Sequence, residues 1–197
     1  AIAIEADVSK QDQIDRMVNQ TLAELGTIDI LFCNAGTCDP AVKLHELPVE
    51  NWDACINVNL RGTFLCMRAV LPVMLKQKRG SIISTASVAG LVAGISAGGK
   101  DYWYGPNAYG ASKAGIINLT RYAAVAYAKD GIRINAIAPG VHDTKSTFIP
   151  REFAEPALKK LADLCPMGRV GDPNELKGLA VYLASDASSY VTGQTFV

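Results

Sequence analysis

Residues Ile28–Gly36 read "IDILFCNAG", and the fold turns on them. Ile28–Cys33 is almost continuously apolar, so a strand made from it has two apolar faces. Strands of that kind belong to parallel sheets covered by helices on both sides. The run stops at Asn34, Ala35 and Gly36, which are small and turn-forming. Working outward, "DVSKQDQIDRMVNQTLAEL" (7–25) places Ile14, Met17, Val18, Leu22 and Leu25 at helical spacing. Ser9 or Asp7 is the expected cap of this helix and Gly26 its stop. "AIAIEA" (1–6) precedes it as a short β-like run.

Downstream, a long helix is expected from about Val49 to Leu75, a strand at "GSIISTAS" (80–87), an Ala-rich helix over 107–129, and a strand at "GIRINAIAP" (131–139) stopped by Pro139. Strand and helix alternating at this spacing predict right-handed βαβ units. The expected fold class is α/β: a doubly wound parallel sheet in three αβα layers, as a single domain over 1–197. Two segments break the rhythm, 90–106 and 140–156, and long loops of this kind commonly carry function.

The chain has 197 residues, 49% of them hydrophobic, with 19 Lys plus Arg against 19 Asp plus Glu. A formal net charge of zero gives no overall attraction to nucleic acid or to an anionic membrane. No window holds about 18 uninterrupted apolar residues, and no basic segment followed by an apolar one opens the chain. A cytoplasmic location is expected. Cys33, Cys38, Cys55, Cys66 and Cys165 form no C-x-x-C pair and suit reduced thiols. With His45 and His142 as the only histidines, no metal cluster is expected.

In open α/β sheets, ligands bind beyond the carboxyl ends of the strands. Asp7 follows the first expected strand, Asn34–Gly36 the second, Ser87 the third and Pro139–Gly140 the fourth. Tyr109 stands near the start of the helix after the third, in "NAYGASKAG" (107–115), with Lys113 four residues on. That spacing puts both on one helix face, about 5–6 Å apart at Cβ. A phenol with its ordinary pKa of about 10 is a poor proton shuttle at neutrality. A cation about 4 Å away is worth ~4 kcal/mol at an effective dielectric of ~20, enough to bring the phenol into use. The plainer explanation is a lysine lying along a ring.

Six strings in order, "CNAG" (33–36), "NVNLRGTF" (57–64), "GSIISTASVAG" (80–90), "YGASK" (109–113), "RINAIAPGVHDT" (133–144) and "GRVGDPNELKGLAVYLASDASSYVTGQTFV" (168–197), resemble the short-chain dehydrogenase/reductase family. The resemblance covers nearly the whole chain and implies a Rossmann-like domain using NAD or NADP. It implies that Tyr109 is the general acid/base, that Lys113 lowers its pKa and holds the nicotinamide ribose, that Ser87 orients the substrate oxygen, and that Asn59 anchors a water linking Lys113 to solvent. Asp7 and Val8 would meet the adenine, and Asn34, Ala35 and Gly36 the adenosine ribose. Pro139, Gly140, Val141 and Thr144 would hold the nicotinamide carboxamide. Each has a plainer role too: turn glycines at Gly36 and Gly140, a helix cap at Asp7, a loop hydroxyl at Thr144, a backbone brace at Asn34.

The activity so implied is interconversion of a secondary alcohol and a ketone by hydride transfer, on a small-molecule substrate. Hydride transfer builds charge on the carbonyl oxygen, which calls for two hydroxyl donors, one able to give up its proton. Departures from the family pattern are also plain. No T-G-x-x-x-G-x-G turn is present, "AGLVAGISAGG" (89–99) lacks its spacing, and the chain stops at "GQTFV". A fragment of a longer protein, lacking the first β-α-β portion and the extreme C-terminus, is therefore expected. Ala86 stands where a second serine is common, which leaves Ser87 as the best candidate, with Thr85 and Ser84 behind it. "ISAGGKDYWYGPN" (95–107) resembles an insertion whose Tyr102, Trp103 and Tyr104 would stack on a ring or bulky apolar substrate, or else pack the loop itself or a subunit contact.

Two other functions compete. "GISAG" (94–98) matches the nucleophile-elbow pattern of serine hydrolases with Ser96 as nucleophile, but lacks a strand before it and a helix after it. A non-catalytic relative using the fold as a binding module is the other, and a full Ser87, Tyr109, Lys113 and Asn59 set argues against it. The small residues of 107–128 and the resemblance together lead to an expected homotetramer or homodimer.

Overall fold

The computed structural model describes residues 1–93, 105–144 and 151–197. Ser96, Tyr102, Trp103 and Tyr104 lie outside the described residues. In chain order the elements are α1 (Gln11–Leu25), β1 (Ile30–Cys33), α2 (Val49–Ile56), α3 (Gly62–Gln77), β2 (Gly80–Thr85), α4 (Asn107–Tyr127), β3 (Ile132–Ile137), α5 (Arg151–Leu164), α6 (Lys177–Ala184) and β4 (Thr195–Phe196). The sheet runs β1-β2-β3-β4 and every pairing is parallel. Leu31 stands opposite Ile82, Ile82 opposite Ile134, and Ile137 opposite Phe196.

The absence of alternation along the strands now has its cause. Ile82, Ile132 and Ile134 point into a core built with Ile14 and Val18 of α1 and Leu65, Val70, Leu71 and Met74 of α3. Ile83 and Ile137, on the opposite face, pack against Leu183 of α6. Helices therefore cover both faces, as the parallel reading of the strands requires. Two of the polar side chains in the sheet are tied to the chain behind it. Ser81 donates its hydroxyl to the Leu183 carbonyl at 2.8 Å. Asn135, fully buried, donates to the Val191 carbonyl at 2.9 Å and accepts from the Gln194 N–H at 3.0 Å.

Three local expectations are corrected. Residues 1–6 form no strand, because extended backbone becomes a strand only with a neighbour to bond, and none of the described strands pairs with them. Neither Ser9 nor Asp7 caps α1: Lys10 holds the cap position without a side-chain bond, while the Asp7 carboxylate folds back onto the Ser9 N–H at 2.9 Å. The expected helix from Val49 is split by a π-helical turn, Asn57–Arg61, which joins α2 to α3. Part of Val49–Gln77 is long and apolar enough to cross a membrane by composition, with mean hydropathy 1.3. Half of that stretch is buried in the fold, with Leu65, Met67, Val70 and Met74 in the core.

Gly26 ends α1 as expected, in a left-handed conformation with its N–H on the Leu22 carbonyl. Gly131, just before β3, is also left-handed (φ +76°), and a Cβ there would stand 2.3 Å from the Lys78 carbonyl oxygen. Strain and collision act together, so Gly131→Ala should destabilise by about 2–3 kcal/mol. Urea unfolding checks this, and an unchanged midpoint would show that the turn has room to relax.

Candidate active site

The carboxyl edge of the sheet gathers the predicted residues. β2 ends at Thr85. Ser87, 8% exposed, then opens the single turn Val88–Gly90, its hydroxyl accepting the Ala89 N–H at 3.1 Å. The Val88 N–H donates to the Pro139 carbonyl at 3.1 Å, which ties the exit of β3 to the Ser87 turn. Tyr109 and Lys113 lie one turn apart at the start of α4. The Lys113 ammonium sits 5.4 Å from the Tyr109 ring centre and donates to the Thr85 carbonyl at 2.6 Å. One β-strand end and one helix start therefore carry Ser87, Tyr109 and Lys113 together.

The electrostatics differ from the expectation that Lys113 lowers the pKa of Tyr109. Burial raises the phenol above its ordinary value, a hydrogen-bonding contribution from the Ser87 hydroxyl pulls the other way, and Cys38 and Cys55 add smaller upward pushes. The lysine charge lies over the ring and is turned toward Thr85. Lys113 is itself the more perturbed group: only 3% exposed, it is lowered to about 8 by desolvation, with Cys55 and Cys38 opposing. A lysine that titrates near neutrality can carry a proton in either direction.

Asn59 stands in the middle of the π turn, fully buried. Its Oδ1 accepts the Thr37 N–H at 2.8 Å, and its Nδ2 donates to the Thr37 carbonyl at 2.9 Å and to the Ser112 hydroxyl at 3.0 Å. Ser112 in turn donates to the Tyr109 carbonyl at 2.7 Å. Both amide hydrogens thus go to protein acceptors, making the Asn59 side chain a brace; the water anchor expected there has only Oδ1 and the main chain left to use.

Sequence reasoning missed Asp39. It is 5% exposed, and its two carboxylate oxygens accept the Ala108 N–H at 3.1 Å and the Tyr109 N–H at 2.8 Å. One signal was available: Pro106 holds the cap position of α4 and brings no acceptor, so the helix had to be capped from elsewhere.

The segments expected to meet cofactor lie along the same edge. Asn34 accepts the Thr85 hydroxyl at 2.9 Å, a side-chain bond across the chain rather than a local backbone brace, and Ala35 beside it is exposed. A Cβ on Gly36 would come to 3.5 Å from Asn59 Oδ1 and 3.7 Å from Lys113 Nζ, so the bare glycine leaves the lysine approachable. Gly140 faces open space, and Val141 is 43% exposed. His142 bridges to Gly171, while the Thr144 N–H bonds to the His142 carbonyl at 3.0 Å. Val8 packs on Gly62 at the start of α3, and Asp7 remains exposed beside it, its carboxyl held below the usual range by the Ser9 backbone N–H. The residues present therefore fit the adenine, ribose and nicotinamide ends of a dinucleotide. The Gly-rich turn that cradles pyrophosphate is not among these 197 residues.

A hollow of about 550 Å³ opens beside the first turn of α4, between Val42, Leu44, Ala89, Pro106 and Gly110. A larger one, about 770 Å³, lies at the opposite edge of the sheet near Arg79 and Arg133, away from Tyr109.

The structure thus presents a parallel sheet with helices on both faces and a hydroxyl, a phenol and an ammonium at its carboxyl edge. A family model described as enoyl-(acyl carrier protein) reductase matches residues 1–197. The 3-oxoacyl-[acyl-carrier-protein] reductase FabG of Thermotoga maritima is 41% identical over 189 residues, 95% of this chain and 71% of that protein. The crystal structure of a short-chain type dehydrogenase/reductase from Mycobacterium marinum superposes with a TM-score of 0.88 at 36% identity, over 100% of this chain and 73% of that one. ElxO with NADP bound matches with a TM-score of 0.84 at 29% identity, over 96% and 73%. The chain belongs to the short-chain dehydrogenase/reductase family, and its cofactor is NAD or NADP.

The depressed Lys113 fixes a pH dependence. Its folded pKa, about 8, lies below its ordinary 10.5, so between these values the unfolded chain binds more protons and stability rises with pH. The thermal midpoint of the wild type relative to Lys113→Met should climb from pH 8 to pH 10. Calorimetry at several pH values checks it, and a constant difference would place Lys113 in water.

Proposed function

We propose that the protein interconverts a secondary alcohol and a ketone, with Tyr109 as the general acid/base. The observation that carries this is the convergence of the Tyr109 phenol, the Ser87 hydroxyl and the buried Lys113 ammonium at one strand end. The nicotinamide ring, when bound, supplies or takes up the hydride. The chain's own residues manage the oxygen and its proton. In the reducing direction Ser87 donates a hydrogen bond to the carbonyl oxygen and Tyr109 gives it the proton that turns the developing alkoxide into an alcohol. In the oxidising direction the tyrosinate takes that proton back. Lys113 would hold the ribose hydroxyls and restore the proton on Tyr109.

Asp7, Val8, Asn34, Ala35 and Gly36 would hold the adenosine end, and Pro139, Gly140, Val141 and Thr144 the carboxamide. The Thermotoga relative is a 3-oxoacyl reductase by name, and a 3-oxo group is a ketone, which supports this substrate class. A hydrolase finds no matching support: the His142 ring lies on the Gly140 carbonyl at 3.0 Å, in the segment zipped to Gly171.

The test uses protein made from its complete coding sequence. Reduced-nicotinamide absorbance is followed across a panel of secondary alcohols and ketones, wild type beside Tyr109→Phe. Turnover should fall by about 10²–10⁴-fold in the variant while cofactor binding, read by calorimetric titration, persists. Turnover indifferent to Tyr109→Phe would sink the assignment.

A further inference from the structure

Helix α4 begins where its own sequence cannot finish it. Pro106, at the cap position, is extended (φ −66°, ψ 117°) and has no side-chain acceptor, yet the N–H groups of the first turn need partners. Asp39 supplies them from 69 and 70 residues away, one carboxylate oxygen to each of Ala108 and Tyr109. Bonds of this kind are charge-assisted, and a negative charge at a helix N-terminus is stabilised by the helix dipole. The same loop is fastened twice more: Asn107 Nδ2 donates to the Val42 carbonyl at 2.8 Å, and Thr37 is held by Asn59.

The loop from Gly36 to Val42 is thus fixed at both ends and at its middle. It begins at the turn expected to meet cofactor, and Asp39 at its middle bonds the backbone of the tyrosine expected to move the proton. We infer that Asp39 is a positioning residue for the oxidoreductase reaction: by capping α4 across space it sets where the Tyr109 phenol stands relative to Ser87 and to the Asn34–Gly36 turn. This rests on the acid/base assignment of Tyr109. Asp39 acts through the backbone and touches no reacting atom. Proton transfer tolerates little misplacement, since about 1 Å can cost 10²-fold, whereas cofactor contacts spread over several segments should barely respond.

The experiment compares the wild type with Asp39→Ala, with Asp39→Asn, and with Asp39→Ala combined with Pro106→Asp, which returns a carboxylate to the helix as a local cap. All are made from the complete coding sequence and assayed on a substrate that the panel identifies. Asp39→Ala should lower kcat by about 10- to 100-fold while KM for the cofactor changes by less than about threefold. Asp39→Asn, which keeps one acceptor, should fall between. The Pro106→Asp combination should recover most of the kcat lost. A wild-type kcat in folded Asp39→Ala would overturn the inference, and so would recovery of the thermal midpoint without recovery of kcat. If Asp39→Ala does not fold, Asp39→Asn and the combined variant are read against the same criteria. Tyr109→Phe runs alongside: if it keeps turnover, the acid/base assignment itself has failed, whereas loss of turnover there with none in the Asp39 variants removes Asp39 alone.

Discussion

One buried amide holds the site together. Asn59 lies at zero exposure where three segments meet: the π turn between α2 and α3, the loop after β1, and the first turns of α4. A buried amide with open bonds costs more than a satisfied one contributes, about 1–3 kcal/mol for each group left unpaired. Thr37 and Ser112 therefore have to be where they are. Ser112 passes the constraint to the Tyr109 carbonyl, and Asp39 passes a second one to the Tyr109 N–H. Tyr109 is thus gripped at its N–H by Asp39 from the loop after β1 and at its carbonyl by Ser112 of its own helix, which Asn59 holds in turn.

That grip explains how the polar groups of the edge tolerate burial. Lys113 loses hydration and accepts a lowered pKa in return for one short bond to Thr85 and a seat over the tyrosine ring. Tyr109, pushed the opposite way by the same burial, keeps its proton more tightly. The two groups consequently move apart in proton affinity, the lysine falling and the phenol rising against the pull of Ser87.

Much of this was legible in the sequence, for local reasons. The apolar runs of β1, β2 and β3 and the small-residue helix α4 carry their periodicity in consecutive residues, and Tyr109 and Lys113 share a face by spacing alone. Ser87 could be placed because it follows a strand. What escaped was long-range. Asp39 caps a helix that starts near residue 107, and no local pattern links the two. The π turn adds a residue to a helix without disturbing its apolar face, so Val49–Leu75 read as continuous. Residues 1–6 have strand composition but need a partner strand. The direction of the Tyr109 shift depends on how much protein surrounds the ring, which spacing to Lys113 does not disclose.

The polar residues inside the sheet have a further effect. Strands apolar on both faces do not choose their own alignment, because a slip of one residue still buries isoleucine on either side. Ser81 and Asn135 remove that freedom. After such a slip each would face the opposite helix layer, parted from the carbonyls and N–H groups of Leu183, Val191 and Gln194 that satisfy it here. Two small side chains thereby serve as alignment marks in an otherwise greasy lattice, and the carboxyl ends of β2 and β3, with Ser87 and Pro139 just beyond them, come out level with one another.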